Sequence, residues 1–411
     1  MSDTSASGSA LDPEQRDGPG TPASGGGPAA PPAADADGPG APASGMAEAA
    51  PSPARGPEIA ARAGIPLGIA ILVCFVTGLL SHWIQHPPAW FWWPAHPVWL
   101  YRFTQGLHVI TGIAAIPLLL VKLWAVYPRL FRRPRFSPLE LLERGSIALL
   151  VGSVIFQLAT GLVNIAQYYP WKFFFPVAHH AMAYVAVGAL AVHLAVKLPV
   201  IRDALSRPVE SPPSSGISRR AVLNAGWVAA AVAGLAVAGQ TVPFLRWLAV
   251  LAPRSGEGPQ GVPVNRTALA AGVTDRARDP GYRLIVAAGE RQRAFTRAEL
   301  AALPQTTARL PIACVEGWSA AAEWSGVRLR DLLAAVNYRD GDVRFESLEQ
   351  AGIYRTSVLP AEHVTAAETL VALTINGETL DIDHGYPCRL IAPSRPGVLQ
   401  TKWLGRIEVS A

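Results

Sequence analysis

Five long apolar runs, followed by a region of short mixed segments, divide this chain. The runs cover about 63–84, 98–126, 146–166, 174–198 and 221–244, and charged residues gather between them. A helix needs roughly 20 apolar residues to cross a bilayer, so each run predicts a membrane span. From about 253 the apolar positions come in shorter groups. Residues 282–287, 343–345, 370–375 and 406–409 read as strands, and 297–302 and 329–336 as short helices. The predicted fold class is an α-helical membrane bundle of four spans plus a fifth anchoring span, followed by a mixed α+β domain. The expected domains are a Gly/Pro/Ala-rich tail at 1–57, the four-span unit at 58–205, a linker with the fifth span at 206–250, and the mixed domain at 251–411. The tail has too few bulky apolar residues to offset its ordering entropy and is expected to be disordered.

Composition supports this division. Of 411 residues, 50% are hydrophobic and only 16% charged, a balance that favours membrane spans over a soluble protein. The net charge of +5 comes from arginines dispersed between apolar runs, so topology explains it and nucleic acid is not an expected partner. Arg129, Arg132, Arg133 and Arg135 follow the second run. Lys197, Arg202, Arg207, Arg219 and Arg220 lie between the fourth and fifth. The loops after the first and third runs are aromatic instead, with Trp90, Phe91, Trp92 and Trp93 in one and Tyr168, Tyr169 and Trp171 in the other. The positive-inside rule then predicts a multi-pass inner-membrane protein with a cytoplasmic N-terminus and an extracytoplasmic C-terminal domain.

Two local features refine the bundle. Phe-Val-Thr-Gly-Leu at 75–79 recurs as Leu-Ala-Thr-Gly-Leu at 158–162, and Val-Lys-Leu at 121–123 recurs at 196–198, which predicts two related hairpins. Ser-Arg-Arg-Ala-Val-Leu at 218–223 resembles a twin-arginine export signal, though two arginines fixing a helix end explain it equally.

Ionisable residues within spans are candidate functional groups. His108 precedes Lys122 by 14 residues, about 21 Å of helix, and His179 precedes Lys197 by 18, about 27 Å. Both therefore fall in the outer half of the bilayer, at a depth where two imidazoles can clamp one haem. His193 is 14 residues after His179 and returns to nearly the same helix face, whereas His180 is about 100° away. His82, His86 and His96 read more simply as interfacial. This pattern, with Gly-Leu-His-Val in the second span, resembles the membrane b-type cytochrome subunits of respiratory enzymes. The resemblance implies haem b with His108 and His179 as iron ligands. His193 marks a second ligand position, without a histidine partner at its depth.

Three cysteines, Cys74, Cys314 and Cys388, form no CxxC pair and no disulfide framework. On its own, Cys314 reads as readily as a buried small hydrophobe as a ligand. Its context adds more. Cys-Val-Glu-Gly-Trp-Ser at 314–319 and Trp-Ser-Gly at 324–326 precede His-Gly-Tyr-Pro-Cys-Arg-Leu at 384–390 and Thr-Lys-Trp-Leu-Gly-Arg-Ile at 401–407. In this order the motifs resemble the molybdopterin-binding domain of sulfite-oxidase-type enzymes. The first resembles the bacterial branch that includes protein methionine-sulfoxide reductases, and the later two are closest to sulfite oxidases.

The resemblance implies Cys314 as the thiolate on molybdenum and as the catalytic residue. It implies Ser347, His384, Arg389, Gln400, Thr401 and Lys402 as contacts to the pterin and its phosphate. Tyr354 and Arg355 are candidates for the metal's open side. His384 stands where the sulfoxide-reducing branch typically has Asn, so sulfite and sulfoxide remain open as substrates. The function expected is a membrane-bound molybdenum oxidoreductase transferring oxygen atoms to or from a small-molecule or protein-bound oxide. It would exchange electrons through haem b with a quinone or another redox carrier. The alternative is a non-catalytic membrane cytochrome or sensor whose outer domain has lost its cofactor.

Overall fold

The computed structural model describes residues 55–130, 137–209, 217–251 and 258–409. The expected tail, apart from 55–57, and Arg132, Arg133 and Arg135 lie outside the described residues. Five long helices come first: α1 Pro57–Gln85, α2 Leu100–Leu130, α3 Pro138–Ile165, α4 Phe175–Ser206 and α5 Arg219–Ala238. All five are long and apolar enough to cross a membrane, by length and composition. Each of the first four extends beyond its apolar run at one or both ends. The fifth is shorter than expected, ending at Ala238 rather than near 244. The chain turns back there, because Leu251 N–H donates to Ala236 O at 3.1 Å and a 3₁₀ turn at Pro243–Leu248 follows.

Helix α1 packs on α2 and α4, α2 on α5, and α3 on α4. One apolar cluster draws on all five helices, with Leu67, Leu118, Val154, Ala186 and Ala230 among its members. Much of the outward surface is equally apolar. Ile65, Ile69, Leu72 and Val76 form one exposed stripe along α1 at helical spacing. The ends away from the C-terminal domain are tied by charge. Arg62 donates to the carbonyls of Ala204 at 3.2 Å and Arg207 at 2.7 Å, closing the end of α4. Glu58, 6% exposed, lies 3.7 Å from Arg219, while the Ser218 side chain caps α5 through Ala221 N–H at 3.1 Å. Two residues of the Arg-Arg motif region thus have roles inside the fold.

The C-terminal domain holds two five-stranded sheets. The first runs β2-β1-β10-β5-β6, with β1 Leu284–Ala288, β2 Arg291–Phe295, β5 Val343–Ser347, β6 Thr356–Leu359 and β10 Leu404–Val409. The second runs β3-β4-β7-β8, with β9 also pairing β7. Its strands are β3 Gln305–Ala313, β4 Ser319–Arg328, β7 Leu370–Ile375, β8 Glu378–Thr379 and β9 Arg389–Ile391. The core between them includes Leu284, Phe345, Val371, Leu390 and Ile407. The short helix expected at 297–302 is present at those residues, behind a capping box made by Thr296 and Glu299.

The long β3–β4 hairpin was not expected, and its tip is the turn at 314–318 that carries Cys314. Trp324 on β4 is fully buried, with the Arg389 guanidinium 5.0 Å from its ring centroid. Gly326 sits where β4 shifts register against β7. A Cβ there would collide with the Val371 carbonyl oxygen and lie 2.6 Å from Ala372 Cα. Both obstacles are backbone, so they cannot swing aside. Gly326→Ala is expected to destabilise the domain by about 2 kcal/mol or more, read as a lower midpoint in chemical denaturation followed by tryptophan fluorescence.

Candidate functional site

Cys314 lies in a closed turn between β3 and β4. Its N–H donates to Trp318 O at 2.9 Å, and Gly317 N–H donates to Cys314 O at 3.0 Å. Gly317 has φ +92°, a conformation that favours glycine. Close packing adds a second requirement, since a Cβ there would lie 3.0 Å from Val109 Cγ2 on α2 and 3.5 Å from Ile165 Cγ1 on α3. The turn therefore rests directly on the helices. Its Val315 carbonyl accepts Gln105 Nε2 at 3.4 Å from α2 and Asn164 Nδ2 at 3.0 Å from α3. Tyr169 Oη steadies Asn164 by donating to its Oδ1 at 2.9 Å, and Gln167 donates to Glu316. The aromatic loop between α1 and α2 joins the same interface, with Trp93 Nε1 donating to Ser394 O at 2.9 Å and Trp92 to Glu362.

On its other side Cys314 lines a small cavity with His384, Arg389, Lys402, Trp318, Gly397, Asn265 and the 262–264 segment. Burial pushes the Cys314 thiol well above the ordinary cysteine range, so without a metal it keeps its proton. Two cations share this cavity. Arg389 is 3% exposed and, among the described residues, donates to backbone oxygens: His384 O at 3.0 Å, Gln400 O at 3.1 Å and Leu390 O at 3.4 Å. Lys402 Nζ donates to Asn265 Oδ1 at 3.2 Å, Arg266 O at 2.5 Å and Asp383 O at 3.0 Å.

Neither cation has a carboxylate within ion-pair distance among the described residues. Burial lowers Arg389 to about 9, and burial with the neighbouring Arg389 charge lowers Lys402 to about 7. His384 Nε2 must donate to Pro259 O, 2.7 Å away, because a carbonyl only accepts. Burial pulls this imidazole below its ordinary range, so it is neutral near pH 7. A soft thiol beside a buried guanidinium and a half-buried ammonium, neither ion-paired with a carboxylate among the described residues, matches an anionic, sulfur-bearing metal cofactor.

The other expected pterin contacts are placed differently. Ser347 Oγ donates to Lys402 O at 2.9 Å and also accepts Glu349 N–H. Gln400 bridges Ala392 N–H and Arg395 O, and Thr401 Oγ1 pairs with Ser357 Oγ at 2.7 Å. These three side chains lock the final loop and do not line the cavity. Asn265 and the 262–264 segment were not singled out in the sequence. Their only signal is an extended Val-Pro-Val-Asn stretch just before the domain's first helices.

Beneath the turn, on the helices that hold it, His108 and His179 face each other with ring centroids 6.4 Å apart. An imidazole bonds a metal at about 2.0–2.1 Å, and adding the depth of each ring gives a separation of this order. The spacing leaves room for one metal ion between the two rings, so His108 and His179 are the residues that would hold a haem iron. His180 instead stacks on His82, with centroids 3.7 Å apart. His193 lies about 21 Å along α4 from His179, with its Nδ1 buried and unpartnered, and the fold does not bring it to the pair. Cys74 and Cys388 make no disulfide, and Cys388, paired with the Tyr282 hydroxyl at 3.1 Å and pushed up to about 12 by burial, is an inert core thiol.

A family model described as the oxidoreductase molybdopterin binding domain matches residues 271–411. This C-terminal region is a molybdopterin oxidoreductase domain of the sulfite-oxidase type. Mitochondrial sulfite oxidase of Rattus norvegicus is 37% identical over 98 residues, which cover 22% of this chain and 18% of the relative. The putative protein-methionine-sulfoxide reductase subunit YedZ1 of Azospira oryzae is 34% identical over 117 residues, 28% of this chain and 44% of the relative. The chain thus spans less than half the length of either relative. Among solved structures, the sulfane dehydrogenase SoxCD of Paracoccus pantotrophus is similar at 27% identity with a TM-score of 0.29, over 32% of this chain and 38% of that one.

Two predictions follow from the cavity's charges. Lys402→Met is expected to weaken retention of the pterin about tenfold or more, seen as lost molybdenum and pterin in purified protein, because a charge-assisted bond to phosphate disappears. The second concerns pH. The folded Lys402 is depressed to about 7, so between there and the ordinary lysine range the unfolded chain binds more protons. Cofactor-free protein is therefore expected to gain thermal stability as pH rises from 7 to about 10. In Lys402→Met, thermal melts over the same window should show a flatter rise.

Proposed function

We propose that this protein is a membrane-bound molybdenum oxidoreductase acting on a sulfite- or sulfoxide-type substrate outside the cytoplasm. One observation carries the reading: the turn bearing Cys314 is held by α2 and α3, and α2 itself carries His108 of the facing histidine pair. When bound, molybdopterin supplies two-electron oxygen-atom chemistry and the haem supplies single-electron exchange with a quinone or another carrier. The balance is an oxide plus two protons and two electrons against the deoxygenated substrate and water, and it runs in either direction.

In this reading Cys314 holds the metal, while Arg389 and Lys402 hold the anionic part of the pterin. His384 stays neutral beside them, and His108 and His179 hold the haem iron. The exposed apolar faces of the five helices are covered by lipid, in keeping with the length and composition of all five. Lys197, Arg202, Arg207, Arg219 and Arg220 support a cytoplasmic α4–α5 connection and a C-terminal domain on the opposite side. The domain divisions at 57, 205 and 250 are part of the same proposal.

Purified protein is expected to contain molybdenum and to give b-type bands in a reduced-minus-oxidised spectrum. Cys314→Ser should abolish turnover with an artificial redox dye while leaving the haem bands in place. Folded wild-type protein with molybdenum at trace level would instead leave a cytochrome without this chemistry, and equal turnover in the two proteins would remove Cys314 from the reaction.

A further inference from the structure

The repeated Thr-Gly pairs, one in each of the first two hairpins, have matching positions in space. Thr77-Gly78 on α1 faces His108 on α2, and Thr160-Gly161 on α3 faces His179 on α4. Thr77 Oγ1 is 3.1 Å from His108 Nδ1, and Thr160 Oγ1 is 2.8 Å from His179 Nδ1. The glycines stand against the same rings. A Cβ on Gly78 would lie 3.1 Å from His108 Cε1, and one on Gly161 would lie 3.9 Å from His179 Cε1.

Proton accounting settles the direction of these bonds. A threonine hydroxyl has one proton, and both are engaged with the preceding turn: Thr77 donates to Val73 O at 2.6 Å and Thr160 to Phe156 O at 2.7 Å. With that proton on the helix carbonyl, each Oγ1 accepts and each Nδ1 donates. For His108 the Cys74 carbonyl oxygen, 3.0 Å from Nδ1, can only accept, so this ring's single Nδ1–H is shared between Cys74 O and Thr77 Oγ1. Both neutral imidazoles therefore carry their proton on Nδ1 and keep the Nε2 lone pair for a metal.

We propose that Thr77-Gly78 and Thr160-Gly161 are a duplicated seat that orients His108 and His179 as Nε2 ligands of one haem. The proposal rests on the haem assigned under the proposed function. The threonines are positioning residues: their oxygens hold the ring orientation and, by accepting from Nδ1–H, make Nε2 a stronger donor to iron, which favours the ferric state. Back-bonding to the i−4 carbonyl alone would be ordinary for threonine in a helix. What distinguishes these two is that each occurs at an equivalent point of the repeat, beside a glycine, with its free lone pair on an imidazole.

The test compares Thr77→Val and Thr160→Val, which remove the hydroxyl at nearly constant volume, with Thr77→Ser and Thr160→Ser, which keep it. The readouts are the haem midpoint potential, the low-spin ferric EPR signal and the haem-to-protein ratio in the intact chain. Each Val variant is expected to raise the potential, by about 59 mV for a tenfold loss of ferric over ferrous preference, and Thr160→Val more than Thr77→Val, because Cys74 O still accepts from His108. The double Val variant should retain haem about tenfold or more less well. Each Ser variant should return toward wild type. Unchanged potential and EPR signal in both Val variants, with haem retained, would overturn the proposal. So would Ser variants that behave like Val, since packing rather than the hydroxyl would then matter. A wild-type chain without b-type bands would instead overturn the haem reading itself, and that spectrum is recorded first.

Discussion

The Val315 carbonyl is where the two halves of the protein depend on each other. It belongs to the turn that exposes Cys314 to the cavity, and it is held by amides from two different helices, Gln105 on α2 and Asn164 on α3. A part-buried carbonyl held by two amide donors is costly to release, because leaving polar groups unpaired inside the fold costs up to about 1–3 kcal/mol each. Gly317 makes the contact tighter still, since the space for a side chain is already taken by Val109 and Ile165. The thiol's position is thus set by the bundle as well as by the β3–β4 hairpin. One helical turn separates Gln105 from His108, and another separates Asn164 from Thr160, the residue bonded to His179.

This arrangement explains why the helical core has its composition. α2 carries Gln105 and His108, so any movement of α2 would disturb both the turn and the histidine pair. It is held on one side by α1 and on the other by α5. Small residues bring α5 close: a Cβ on Gly226 would lie 2.9 Å from Val121 Cγ2, and one on Gly234 3.4 Å from Ile110 Cγ2. The fifth helix therefore braces the helix that matters most for the site, in addition to linking the bundle to the outer domain.

Much of this was legible in the sequence, for identifiable reasons. The helices were visible because apolar runs of that length have few other uses. The strands β5, β7 and β10 were visible because Val, Ile, Leu and Phe cluster there. The β3–β4 hairpin was hidden: β4 reads Ser-Ala-Ala-Ala-Glu-Trp-Ser-Gly-Val-Arg, and its alanines favour helix by local preference. Tertiary pairing on both sides of β4 overrides that preference. Within the site, Cys314, His384, Arg389 and Lys402 were legible from the order of their motifs, and one cavity collects them. Ser347, Gln400 and Thr401 belong to the same motifs, yet their side chains satisfy neighbouring backbone and hydroxyl groups. Sequence carries the polarity of such residues but not whether the loop consumes it.

The histidines show the same limit from the opposite side. Helical rise placed His108 and His179 at matching depth, and their rings do face each other. The Thr-Gly repeat was equally visible, but as similarity between two hairpins rather than as chemistry. The hydrogen bonds give it meaning, because each threonine's hydroxyl donates to its own helix and its oxygen accepts from the facing ring. Repetition of a short motif in a bundle is thus informative about more than ancestry. It marks a local solution, here a hydroxyl and a missing side chain beside an imidazole, that the fold uses once for each of two facing rings.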